Sequence, residues 1–171
     1  MGTVLFLSLR AAHVLLAAIW VGATFFTSLL LMPVIEGSGP IGGQLMQNLE
    51  KKGMTAFFAA LGGTTVLTGI YLYWRFTGGF DPEVSRSHAG MAFGIGGVAG
   101  ILAVIIGGSV IGRSSRKLLA IMEQVPKASD AQKAGLMKEA EALRGRMKTF
   151  GTLVLLLQIV AVLTMAVGHY I

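Results

Sequence analysis

The chain alternates between long apolar runs and short polar connections. Residues 11–32, 54–74, 87–112 and 149–171 contain no Asp, Glu, Lys or Arg. Each run reaches the roughly 20 residues that a helix needs to cross a bilayer core of about 30 Å. The pattern predicts an all-α fold: a four-helix transmembrane bundle forming one domain over 1–171, with spans at about 5–32, 54–75, 88–112 and 149–171. The first run lacks a basic leader and exceeds the roughly 7–15 apolar residues of a signal peptide, so it is read as a retained helix.

Punctuation refines these elements. Helix one is expected to end near Pro33, since proline cannot continue the hydrogen-bond ladder. The following EGSGPIGGQ reads as a turn-rich connector. Helix two closes in YLYWR, an aromatic cluster suited to the headgroup level, and TGGFDPEVSRS is a short loop turning at Asp81 and Pro82. The connection after helix three is too long for an unstructured loop. SSRKLLAIMEQV continues helix three, Pro126 divides the segment, and Ser129 with Gln132 forms a capping box. Leu136, Ala140, Leu143, Met147 and Phe150 then recur at helical spacing. Helices three and four therefore extend beyond the bilayer, over about 113–148, as a helical hairpin.

Charge orients the bundle. Only 13% of residues are charged, against about a quarter in a soluble domain. The 113–148 connection carries nine of the fourteen Lys and Arg residues, and Lys51 and Lys52 lie in the first connection. Only Arg10, Arg75 and Arg86 fall at the opposite level. The positive-inside rule places the hairpin in the cytoplasm and both termini outside, as in a protein of a bacterial inner (cytoplasmic) membrane. The net charge of +6 is thus assigned to the membrane surface, and no nucleic-acid partner is expected. With no cysteine, disulfides and thiolate chemistry are excluded.

Helix three is rich in glycine. The pairs Gly90/Gly94, Gly96/Gly100 and Gly108/Gly112 suit close helix packing in lipid, and suggest a homodimer or a larger membrane complex assembled through this helix. GIGGVA formally fits a dinucleotide fingerprint, but that motif requires a preceding strand, so it is set aside.

The three histidines carry the candidate chemistry. With the orientation above, His13, His88 and His169 share one layer near the outer face, alongside Arg10, Arg75 and Arg86. Ionisable residues in spans are costly and usually face the bundle interior or a cavity. Imidazole is the commonest metal and haem-iron ligand, and arginines above it could pair with haem propionates. Arg10, His13, Ala17, Trp20, Thr24 and Thr27 follow three- and four-residue steps, so they line one polar face of helix one. Thr64, Thr65 and Thr68 of helix two could meet that face. Met91 follows His88 by three residues and Met165 precedes His169 by four, so each pair shares a helix face. Histidine with thioether suits copper, and methionine can also ligate haem.

The stretches HVLLAAIWVGATFF, TGIYLYWRFTGGF and GMAFGIGGVAGILAVIIGG resemble the copper-resistance D (CopD-like) membrane proteins and their four-helix relatives. The resemblance covers most of the chain, and members of that group carry a histidine at the place of His13. It also implies copper handling, or b-type haem as in some distant relatives. A related membrane protoporphyrinogen oxidase pairs its first-helix histidine with an intramembrane lysine. No span here contains a lysine, so that activity is not carried over.

These readings converge on haem b near the outer leaflet, held by His13 with His88 or His169 opposite, in electron transfer or redox sensing. Haem ligated by two side chains leaves no open position for substrate, which argues against an enzyme. Trp20 flanks this site, and Arg10, Arg75 and Arg86 cap it. The alternatives are a copper protein using His88, Met91, Met165 and His169, with or without His13, and a non-catalytic accessory subunit.

Overall fold

A computed structural model describes residues 2–168 and 170–171, with Pro40 described by its backbone alone. The chain folds into α1 (Gly2–Gly37), α2 (Gly39–Lys51), α3 (Met54–Phe76), α4 (Pro82–Arg86), α5 (His88–Lys127) and α6 (Asp130–Val167). No strand occurs among the described residues. Helices α1, α3, α5 and α6 are long and apolar enough to cross a membrane, which makes this a multi-pass membrane protein. Large apolar side chains on all four remain exposed, among them Val14, Leu67, Ile95 and Leu163. In lipid that exposure carries no hydrophobic penalty, because acyl chains are as apolar as leucine.

The four long helices run antiparallel in chain order. Trp20 of α1 lies over Gly62 of α3, and His13 lies over Gly69. The indole and the imidazole occupy the space that a Cβ would need at each glycine, 2.9 Å away in both cases. At the end near the termini, Tyr73 Oη donates to the Gly90 carbonyl at 3.2 Å and ties α3 to α5. Helices α5 and α6 close over one another where Met165 and Thr164 pack on Gly96. Helix α1 meets α6 over a shorter stretch than it meets α3.

The glycines of α5 serve the fold itself. Gly90 packs on the α4 backbone, Gly94 on Tyr73 and Gly96 on α6. All three expected small-residue pairs thus have at least one member packed within the chain, Gly112 lying against Thr55 of α3.

At the other end a second core forms around Ile35, Met46, Leu118, Ile121, Ala140 and Met147, with Leu136 and Leu143 packed against it. The hairpin expected from the sequence is present. The capping box at Ser129 and Gln132 is complete, and Pro126 sits in the 3-10 turn Val125–Lys127 that joins α5 to α6. Leu136, Ala140, Leu143 and Met147 form the buried stripe of α6 here, while Phe150 is partly buried with the Arg146 guanidinium 5.9 Å from its ring centre.

Two expectations are corrected. Helix α1 does not end at Pro33 but continues to Gly37, because the preceding turn, Thr27–Leu31, is a π-helix. Its wider winding, closed by the Met32 N–H on the Thr27 carbonyl, accommodates a ring that would clash with the carbonyl four residues back in an ideal helix. EGSGPIGGQ is mostly helical rather than a connector. Only Ser38 separates α1 from α2, and Gly42 lets α2 fold back onto the Ile35 carbonyl, where a Cβ has no room.

Candidate functional site

A cavity lies in the half of the bundle nearest the hairpin. It encloses about 440 Å³ and is lined by α1, α2, α3, α5 and α6. Its floor is apolar, formed by Trp20, Phe58, Ala103, Val104 and Val154. Trp20, Ala103 and Val154 are buried and belong, with Leu61, to the core cluster of the bundle. Thr24, Thr27, Ser28 and Thr152 supply hydroxyls along the walls. Glu36, Glu50, Arg144 and Lys148 stand toward the hairpin end.

Backbone irregularity shapes this space. Both π turns border the cavity: Thr27, Ser28 and Leu29 from one, Gly107, Gly108 and Ile111 from the other, Gly107–Ile111 of α5. A π turn adds one residue to a helical turn, which widens the helix and shifts every following side chain around its axis. Such turns are frequently found at functional sites. Glycines in the second one put no side chain into the space between helices.

Glu50 fixes one rim. Its carboxylate accepts from Thr55 Oγ1 at 2.9 and 3.0 Å, and from Ser115 Oγ at 2.5 Å. Ser115 is buried. These bonds tie the corner between α2 and α3 to α5, with Gly53 in the left-handed conformation that lets the chain turn there.

The polar face of α1 is found where the sequence placed it, but its two ends do different things. Its hairpin-side members, Trp20, Thr24 and Thr27, line the cavity. Its terminal-side member, His13, is half-buried and hydrogen-bonded to α3 through Nδ1 and Thr68 Oγ1 at 3.0 Å. The Thr68 proton is directed to the carbonyls of Thr64 and Thr65, at 2.8 and 2.9 Å. The hydroxyl therefore accepts, Nδ1 donates, and Nε2 of His13 carries the lone pair.

The other sequence-predicted residues are dispersed. His88 is exposed and lines, with Met91, a shallow groove of about 420 Å³ between α5 and α6. That groove contains no residue of α1, so His13 and His88 lie on different seams. Met165 packs on Gly96 and does not line the groove. Arg10, Arg75 and Arg86 are exposed. Trp20 belongs to the cavity, two helical turns from His13. His169 lies outside the described residues. Among the described residues no cluster of three or more His, Asp or Glu side chains is placed to hold a metal ion.

Glu36, Glu50, Ser115, Arg144 and Lys148 carry the cavity and escape the sequence reading, which searches for polar groups inside apolar runs. Their signal is weak: each stands in a polar connection where charge is unremarkable. The chain matches no protein-family model, no curated protein and no solved structure.

Proposed function

We propose that this protein binds an amphiphile drawn from the bilayer, holding its apolar part against Trp20, Phe58, Ala103, Val104 and Val154 and its polar part at the hairpin end. One observation carries this reading: the cavity has an apolar floor between the spanning helices, and all four of its ionisable residues stand at its hairpin end. A membrane protein that only needed stability would close this space. Pockets of this size, with a few placed polar groups in an apolar wall, are the usual form of small-molecule sites.

The test is mass spectrometry of the protein released from mild detergent, with its co-purifying lipids identified. Bound amphiphile is expected at about one per chain. The variants Gly108→Leu and Ser28→Phe, which fill the cavity from opposite walls, should abolish it. Unchanged binding in both would overturn the reading.

A second reading rests on His13. The Thr68 bond orients the imidazole and leaves Nε2 as a lone-pair donor, the arrangement second-shell partners impose on metal-ligating histidines. The resemblance to CopD-like proteins makes b-type haem the group to consider, and bound haem supplies one-electron transfer. One ligand fits. The opposing ligand would be His88, which borders the groove between α5 and α6, or His169. Purified protein with neither a Soret band nor one after haem addition would end this reading. Unchanged haem content in His13→Ala would end the assignment of His13.

A further inference from the structure

We infer that the cavity selects a zwitterionic phospholipid headgroup, with a phosphodiester on the α6 side and a primary ammonium on the α1–α2 side. The inference rests on the amphiphile reading and adds the chemistry of the head. Four ionisable side chains border the cavity, and they are sorted by wall. Both carboxylates come from the first part of the chain, Glu36 at the end of α1 and Glu50 in α2. Both cations come from α6, where Arg144 and Lys148 are one turn apart.

These opposite charges form no ion pairs with one another. Among the described residues, the ion pairs are Lys117–Glu139 and Lys133–Asp130, both on the hairpin outside the cavity. Neither Arg144 nor Lys148 comes within 4.0 Å of a Glu36 or Glu50 oxygen. Glu50 is instead held in place by the hydroxyls of Thr55 and Ser115.

Two separated walls of opposite sign, with room between them, complement a head that carries both signs. A purely anionic head would meet the two carboxylates, and a purely cationic head would meet Arg144 and Lys148. An uncharged head would leave the partly buried Glu50 and Arg144 without a partner, which is costly beside an apolar floor. Arginine gives the phosphate a bidentate fork, and lysine a second point charge.

The experiment uses delipidated full-length protein in detergent and native mass spectrometry against three probes of identical acyl chains: phosphatidylethanolamine, phosphatidylglycerol and diacylglycerol. Phosphatidylethanolamine is expected to bind about tenfold more tightly than either, the effect of one to two charge-assisted hydrogen bonds. Glu36→Gln, at an exposed position where folding is not at stake, should cut the preference over phosphatidylglycerol by about threefold or more. Arg144→Gln should cut the preference over diacylglycerol while leaving diacylglycerol binding intact. Equal binding of all three probes, or a preference for phosphatidylglycerol, overturns the headgroup assignment but leaves the amphiphile reading standing. Failure of every probe to bind overturns both.

Discussion

The two halves of the bundle use the same helices in opposite ways. From the termini down to the cavity floor, side chains are driven into glycines: His13 onto Gly69, Met165 onto Gly96 and, at the floor itself, Trp20 onto Gly62. Toward the hairpin, α1 and α5 each widen into a π turn, and the two glycines within the α5 turn, Gly107 and Gly108, meet nothing within 4 Å. Glycine content alone thus does not determine how closely helices pack. A glycine tightens an interface when a knob from the facing helix is in register with it, and opens one when no knob arrives.

Matched substitutions test this contrast directly. Gly62→Leu pushes against the Trp20 indole and Val104, which already lie within 3.0 Å of a Cβ at that site. It should cost about 1–3 kcal/mol, the usual range for overpacking. Gly108→Leu, in the open half, should stay within about 0.5 kcal/mol. Equal losses for the two, measured by denaturation in one detergent, would erase the distinction between the halves.

A smaller effect of opposite sign is expected at Gln158. It is 1% exposed, and neither its amide nitrogen nor its oxygen has a partner among the described residues. Gln158→Leu removes an unsatisfied group of similar volume and should stabilise by about 1–2 kcal/mol. A loss instead would mean that the amide has a partner in the assembled membrane protein.

The two polar ties come next. Ser115→Ala removes a hydrogen bond to the Glu50 carboxylate and should cost about 1.5 kcal/mol. Thr68→Val removes the acceptor for His13 and should cost about 0.6 kcal/mol, the average for hydrogen bonds between membrane helices. A larger loss at Thr68 than at Ser115, in the same denaturation assay, would reverse the ranking of the two halves.

Much of the architecture was legible in the chain. The apolar runs mark the spans, the Ser129–Gln132 cap marks the start of α6, and the three- and four-residue steps of Arg10, His13, Trp20 and Thr24 mark the polar face of α1. Even the meeting of that face with Thr68 follows from depth. Pro33 misleads because a π turn is a slip of phase, and hydrophobic periodicity averages over such a slip. EGSGPIGGQ misleads because its glycines serve close approach at Gly42 rather than a loop. The cavity was illegible for a different reason. It is defined by where side chains do not reach, and residues as distant as Glu50 and Ser115 meet there only once the register of three helices is set.

That register has a mechanical consequence. His13 and Trp20 are separated along α1 by the same interval as Gly69 and Gly62 along α3. Sliding α1 by one turn would drive both rings against side chains, so the pair acts as a two-toothed detent that blocks piston motion.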